Sequence, residues 1–236
     1  MSIDKPGRRQ FLQRAGALIP AAGSLHDAVP IIARAAEARQ VSPRPYSPVF
    51  FDASEWRFVQ RACSLLIPND ALGPGAREAG VPEFLDRQME TAYGHGGLWY
   101  SHGPFVTDGL PEMGYQYRFT PREIYRNGIR DGDNACRSTQ GAPFADLPVA
   151  VAVAFLKSLE SGKATGGTLP PRLFFEQLLK NTREGYFADP LYGGNQHMAG
   201  WKLLGFPGAR ADFADWIDHP NERYPVGPVS INGDRN

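Results

Sequence analysis

The chain has 236 residues, a formal net charge of zero and an isoelectric point near 7. This balance argues against a partner that is nucleic acid or an anionic membrane surface, because such partners select for clustered positive charge. Hydrophobic residues make up 42% of the chain and aromatic residues 11%, which is too apolar for a disordered protein. The 26 glycines and 21 prolines predict a globular protein with much ordered loop.

Residues 1–38 have the pattern of an export leader. Arg8 and Arg9 precede Phe11 and Leu12, a weakly apolar stretch follows, and small residues at the end offer an A-x-A cleavage site. This order is typical of a twin-arginine signal. It predicts that the twin-arginine translocase exports the protein to the periplasm. An ordinary amphipathic first helix with two basic residues is the alternative.

The rest of the chain divides by composition into three parts. Residues 39–50 contain three prolines and are predicted to form a linker, and residues 51–211 are predicted to form one helical domain. Residues 212–236 contain several prolines, and we expect them to lie as an extended arm on a surface. After residue 38 no apolar run approaches the roughly 18 residues that cross a bilayer. We therefore expect a soluble exported protein that reaches a membrane only through a partner.

Helical spacing of apolar residues, together with capping residues and prolines, predicts about five helices. They are predicted to begin at Asp52, near Val81, and at Thr120, Asp146 and Pro170, and to end near Pro68, Ala92, Ile129, Gly162 and Gly185. The polar, turn-rich residues 130–143 are predicted to form a loop. Strand-like alternation is lacking in this sequence. The predicted fold class is therefore mostly α, a single domain whose long ordered loops are rich in Gly, Pro and aromatic residues.

Known catalytic and cofactor patterns do not fit the sequence. Gly73–Gly80 reads GPGAREAG, which lacks the spacing and the preceding strand of a dinucleotide site. Ser101 and His102 are neighbours without the surrounding pattern of a nucleophile. The histidines after the leader lack the spacing of a metal site, and they are His95, His102, His197 and His219. We therefore predict no catalytic residue, no metal site and no cofactor on this chain.

Two cysteines, Cys63 and Cys136, leave two interpretations open. Export to an oxidising compartment permits a disulfide between them. Cys63 also falls on the apolar face of a predicted helix, where a buried free thiol is the simpler prediction. The C-x-x-C-H pattern that attaches a c-type haem is absent from the sequence.

Large aromatic residues in predicted loops are the strongest remaining signal. Such side chains are favoured at the centres of protein interfaces, but they can also fold back onto the core of their own chain. Both interpretations stay open for this sequence. The candidate interface residues are Phe187, Tyr192, Trp201, Phe206, Trp99 and Tyr100.

Several longer stretches are similar to a known family. They read LLIPND, GPGAREAGVPEFLD, YGHGGLWYSHGP, PREIYRNGI and FFEQLLKNTREGYFADPLYGGNQHMAGWKLLGFPGA, and the leader precedes them. In these stretches the chain resembles subunit 3, the small subunit of membrane-bound, flavin-dependent gluconate 2-dehydrogenase and related sugar dehydrogenases. The last stretch is the most specific of the five.

This resemblance implies a three-part complex. A large subunit would bind FAD and oxidise the substrate, and a multi-haem cytochrome c subunit would pass electrons towards quinone and anchor the complex. The small subunit would be non-catalytic, would carry the export leader and would support assembly. The alternatives are a subunit of a related fructose, sorbitol or 2-ketogluconate dehydrogenase, a free-standing exported binding protein, and an autonomous exported enzyme.

Overall fold

The structure, a computed structural model, describes residues 46–99, 102–107, 111–164 and 167–235. Six α-helices lie in these ranges: α1 (Ala53–Leu66), α2 (Val81–Met89), α3 (Pro121–Gln140), α4 (Val149–Glu160), α5 (Pro171–Phe187) and α6 (Ala199–Leu204). These ranges also contain isolated β-bridges but no strand. From Ser47 onward the described residues form one compact unit, which confirms the predicted mostly α fold. None of the described helices is long and apolar enough to span a membrane.

The capping signals at the starts of α1 and α3 are confirmed. The Asp52 carboxylate accepts hydrogen bonds from the N–H groups of Ser54 and Glu55 at 2.8 and 2.9 Å. The Glu55 carboxylate in turn accepts the N–H of Asp52 at 3.0 Å. Thr120 and Glu123 form the same reciprocal pair at the start of α3. These bonds satisfy backbone donors that the first helical turn leaves free, and such caps contribute about 1 kcal/mol each.

The prediction of a loop at residues 130–143 was wrong, because α3 continues to Gln140. The polar residues of this segment mostly face solvent, whereas Ile129, Gly132 and Cys136 face the core at helical spacing. Asp, Asn, Ser and Thr favour turns only weakly, so packing of this buried stripe overrides their preference.

Asp146 does not cap α4, so that prediction was also wrong. The helix begins after Pro148, whose side chain provides no capping hydrogen bond. Asp146 instead ends a 3-10 turn and forms an ion pair with Arg57 of α1. Asp146 lies two residues before the N-cap Pro148, so its carboxylate is not at the position that caps the helix.

Helix α5 lies at the centre of the fold and contacts each of the other five helices. Its buried side chains include Phe174, Phe175, Leu178 and Tyr186. The surrounding helices complete one hydrophobic core with the following residues: Phe58 and Val59 from α1, Leu85 and Met89 from α2, Ile124 and Tyr125 from α3, and Leu156 and Leu159 from α4.

Helices α3 and α5 cross at a glycine. A Cβ atom added at Gly128 would lie 2.3 Å from Cγ of Phe174, which is far inside van der Waals contact. A Cβ atom added at Gly132, one turn further along α3, would meet Phe155 and Phe58 at an ordinary 3.4 Å. The absence of a side chain at Gly128 therefore allows α3 to pack closely on Phe174 of α5.

The chain enters the folded unit at a buried carboxylate. Asp86 of α2 is fully buried and accepts hydrogen bonds from the N–H groups of Val49, Phe50 and Phe51 at 2.7, 3.0 and 2.8 Å. Arg126 of α3 donates to the Phe50 carbonyl oxygen at 2.6 Å, and its guanidinium lies 4.1 Å from the centre of the Phe50 ring. The packed structure therefore already begins within the last residues of the predicted linker.

The C-terminal arm returns to the body of the protein. Val229 is buried, forms a parallel bridge with Gly208 and accepts the N–H of Ala209 at 2.7 Å. The N–H of Ile231 donates to the carboxylate of Asp189 at 2.7 Å. Backbone and side-chain hydrogen bonds therefore hold the end of the arm against the loop that follows α5.

We predict that Gly128→Ala lowers the free energy of unfolding by about 2 kcal/mol, because the new methyl group would force the Phe174 ring out of its packed position. Gly132→Ala is the matched control on the same helix. It gains the same helical propensity without a clash, so we expect unchanged stability or a gain of up to about 1 kcal/mol. Urea unfolding of both variants measures the difference. Equal stabilities would contradict the proposed role of Gly128 in helix spacing.

Candidate functional site

The loop after α5 lies in backbone contact with the end of that helix. A Cβ atom added at Gly194 would lie 2.2 Å from the carbonyl oxygen of Gly185, and one at Gly200 would lie 2.2 Å from that of Tyr186. Both contacts are too short for any side chain. The glycines of this segment are therefore needed to bring two stretches of backbone together.

The buried side chain of Asn195 forms hydrogen bonds with both ends of this loop. Asn195 is fully buried, and its Nδ2 donates to the carbonyl oxygen of Ala188 at 2.8 Å. Its Oδ1 accepts the N–H of Gly200 at 2.8 Å, and its backbone oxygen accepts the N–H of Met198 at 2.8 Å. One side chain thus joins the end of α5 to the start of α6.

The loop also docks on the start of α2. The N–H of Gln196 donates to the Ala79 oxygen at 2.9 Å, and its Nε2 donates to a Glu83 carboxylate oxygen at 3.1 Å. A Cβ atom at Gly80 would lie 2.4 Å from that Nε2 atom. In the GPGAREAG segment that the sequence analysis rejected as a dinucleotide site, Gly80 therefore makes room for Gln196.

Three residues of this loop that are not glycine have left-handed backbone angles. Asn195, His197 and Met198 have φ values of 47°, 55° and 56°. Met198 is fully buried, whereas His197 is exposed. The sequence pattern predicts a Gly-rich loop with exposed aromatic residues here, but it does not predict these three left-handed positions or the short helix α6. The available signals were Asn195 and His197, since Asn and His adopt positive φ more often than most other residues.

The structure separates the predicted interface residues by exposure. Phe187, Tyr192 and Phe206 are 39%, 48% and 47% exposed, and together they are called the aromatic face below. Trp201 is only 6% exposed. Its Nε1 donates to the Phe187 carbonyl oxygen at 2.8 Å, and its ring packs edge-on against Phe206 with centroids 5.2 Å apart. For Trp201 the structure therefore supports packing within the chain.

The members of the aromatic face are linked through the loop itself. The 3-10 turn Pro190–Tyr192 packs against the turn Gln196–Met198, which in turn packs against α6. Trp201 of α6 contacts both Phe187 and Phe206, as described above. Half-exposed aromatic side chains on a rigid, hydrogen-bonded support are the kind of surface that binds another protein.

The other predicted aromatic pair lies elsewhere. Trp99 is half-buried and packs against Tyr93 and Tyr115, with ring centroids 6.1 and 4.6 Å away. The Tyr93 hydroxyl accepts hydrogen bonds from Gln177 and Asn181 in the middle of α5. Trp99 therefore lies over the middle of α5, whereas the aromatic face lies at its C-terminal end. Tyr100 lies outside the described residues.

A groove lies next to Phe206 along the chain, since Gly205 and Pro207 on either side of that residue line it. Its space is about 700 Å³, and it runs between the end of α6 and the C-terminal arm. The exposed apolar side chains that line it are Leu203, Leu204, Phe213 and Ile217. This apolar surface extends the region that is available to a partner.

The described residues contain no group of three or more His, Cys, Asp or Glu side chains that could hold a metal ion. His95 lies 3.1 Å from Nη1 of Arg122, and His219 stacks on Trp216 with ring centroids 4.3 Å apart.

The two cysteines are both free thiols, so the disulfide that the sequence left open is not formed. Burial raises the pKa of the Cys63 thiol and of the Cys136 thiol to about 12. Both thiols are therefore protonated and unreactive at neutral pH. The predicted export residues Arg8, Arg9, Phe11 and Leu12 lie outside the described residues.

A protein-family model described as gluconate 2-dehydrogenase subunit 3 matches residues 53–208. The chain belongs to this family. The match covers about two thirds of its length, all six helices and the whole aromatic face. In this member of the gluconate 2-dehydrogenase subunit 3 family, the C-terminal arm lies beyond the matched range. No curated protein and no solved structure matches the chain.

We predict that Trp201→Ala lowers the free energy of unfolding by about 3 kcal/mol, since it removes a buried ring and leaves the Phe187 carbonyl without its donor. Phe206→Ala is the comparison, and we expect a loss of about 1 kcal/mol because that ring is half exposed. Chemical denaturation of the isolated chain measures both. Unchanged stability of Trp201→Ala would mean that this residue serves a partner and not the fold.

Proposed function

We propose that the chain is the non-catalytic small subunit of a periplasmic, membrane-associated dehydrogenase complex of the gluconate 2-dehydrogenase type. The observation that carries the proposal is the family match over residues 53–208. A numbered subunit of a dehydrogenase works with other subunits, so the chain needs a surface that binds them. The aromatic face supplies such a surface.

In this complex the redox groups belong to the partners. FAD binds to a large subunit that oxidises the substrate, and haem c belongs to a cytochrome subunit that passes electrons towards quinone. The cytochrome also attaches the complex to the membrane. The small subunit stabilises the flavoprotein and supports its assembly.

We further propose that the aromatic face contacts the flavoprotein subunit. Its three rings are each 39–48% exposed, which leaves contact area for a partner. They stand on a loop whose backbone is fixed by Asn195 and by glycine contacts, so little conformational entropy is lost when a partner binds. Large aromatic side chains on such a support are frequent hot spots of binding energy.

Export is the second part of the proposed role. The twin-arginine leader predicted at residues 1–38 would carry the small subunit through the translocase together with the folded, FAD-loaded large subunit. A flavoprotein that binds its cofactor in the cytoplasm could then reach the periplasm without a leader of its own.

The substrate of the complex is set by the large subunit in this proposal. Gluconate is the first candidate because of the family, and 2-ketogluconate, fructose and sorbitol are the alternatives. A free-standing exported binding protein is the competing function, and it predicts that no flavoprotein accompanies the chain.

We predict that the tagged chain, purified from its native membranes, brings with it a much larger subunit that releases FAD on denaturation. Tyr192→Ala should lower the recovered FAD about tenfold or more, because loss of one aromatic anchor costs about 2 kcal/mol of binding. Val149→Ala, which alters an exposed apolar residue at the start of α4, is the control and should leave FAD recovery unchanged. Purification of the chain alone, without flavin, would refute the proposed function.

We predict that replacing Arg8 and Arg9 together by Lys leaves both the small subunit and the flavoprotein in the cytoplasm. Arg14→Lys, which changes a basic residue outside the pair, is the matched control and should not affect export. Fractionation followed by immunodetection and dehydrogenase assay of each fraction measures the distribution. A flavoprotein that still reaches the periplasm beside the double variant would show that it is exported independently.

A further inference from the structure

The loop after α5 contains residues other than glycine in a left-handed backbone conformation, which is unfavourable in free energy. Residues with side chains lose free energy at positive φ, because Cβ approaches the following carbonyl oxygen. Three such residues fall within four positions, Asn195, His197 and Met198. Glycine occurs at 193, 194 and 200 in the same loop, and it adopts this conformation without that cost.

Two of the three side chains offset the cost within the protein. The Asn195 amide makes two hydrogen bonds of 2.8 Å that close the loop, and Asn is also the residue other than Gly that best tolerates positive φ. Met198 is fully buried and fills space beneath the loop. A glycine at either position would lose these contacts.

His197 receives no such compensation from its own chain. Its side chain is exposed and makes no hydrogen bond, ion pair or ring contact with the described residues. Backbone strain of this kind persists where the surrounding structure imposes it, and such sites are often functional. The exposed imidazole, which makes no contact with the described residues, is therefore available to a partner.

The position of His197 indicates what that use is. It lies in the turn Gln196–Met198, and this turn packs against both the turn that carries Tyr192 and helix α6. His197 therefore stands beside the aromatic face. Its imidazole can both donate and accept a hydrogen bond, which the rings of Phe187 and Phe206 cannot do.

We propose that His197 is a preformed contact residue for the flavoprotein subunit, a proposal that rests on the proposed function. The left-handed backbone holds the imidazole outward before the partner arrives, and the imidazole forms a hydrogen bond with a polar group of that subunit. The aromatic face packs alongside this bond. Because the loop is already rigid, the contact forms without the usual cost of ordering a mobile loop.

The test compares His197→Gly and His197→Ala with a control, Val149→Ala. Val149 is an exposed residue at the start of α4 and belongs neither to the aromatic face nor to the groove beside the arm. Purified full-length variants are titrated against the purified flavoprotein subunit, and the dissociation constant is measured by calorimetry. Thermal unfolding of each isolated variant is recorded in parallel.

We expect His197→Gly to raise the melting temperature of the isolated chain by about 2 °C, because it relieves the backbone strain. We expect the same substitution to weaken binding of the flavoprotein subunit about tenfold. His197→Ala should weaken binding to the same extent without raising the melting temperature, and Val149→Ala should leave binding unchanged. This pattern would show that the imidazole itself makes the contact.

Three results would overturn the inference. Binding of His197→Gly within twofold of the unaltered chain would show that the side chain is not in the interface. A lowered melting temperature of that variant would show that His197 supports its own fold. Weakened binding of the Gly variant alone would assign the effect to loop rigidity. Failure of the unaltered chain to bind any flavoprotein subunit is a separate result, which refutes the proposed function itself.

Discussion

Close backbone contact between helix α5 and the loop that follows it is the constraint on which the candidate surface depends. Gly194 and Gly200 lie so near the carbonyl groups of Gly185 and Tyr186 that a side chain at either position would push the two segments apart. Asn195 then locks the loop with hydrogen bonds at both of its ends. Because the segments cannot separate, the half-exposed aromatic rings and the exposed imidazole keep fixed positions. The surface is therefore rigid although it stands on a loop.

Helix α2 connects this surface to the place where the chain enters the fold. Asp86 on α2 accepts three N–H groups from residues 49–51, while Glu83 on the same helix accepts a hydrogen bond from Gln196 of the loop. The two acidic residues are three positions apart, so about 4.5 Å of helix separates them along its axis. In the proposed complex, the N-terminal segment and the partner surface are therefore both held by one short helix.

The sequence predicted features of the fold that are local. Reciprocal capping pairs at Asp52 and Thr120 mark helix starts because their hydrogen bonds lie within four residues. The sequence did not predict the continuation of α3 through a segment rich in Asp and Gly, since it depends on packing of Gly132 beside Phe155 of α4 and Phe58 of α1. It also could not separate Trp201 from Phe206, because both belong to the same Gly-rich stretch. Trp201 is buried where its Nε1 donates to the Phe187 carbonyl oxygen, whereas Phe206 packs edge-on against it and stays half exposed.

The family match ends between the two parts of the candidate surface: the aromatic face lies inside the matched range, and the C-terminal arm lies beyond it. The match ends at Gly208. The backbone of this residue forms a parallel bridge with Val229 of the arm. The groove beside the aromatic face has Leu203 and Leu204 on its family-matched wall and side chains of the arm on the other. In the proposed complex, a partner that occupies both regions would contact the segment that the family model matches and also the arm beyond it. Because Val229 pairs with Gly208 and Ile231 donates to Asp189, the arm is held against the matched segment, and the two form one continuous surface.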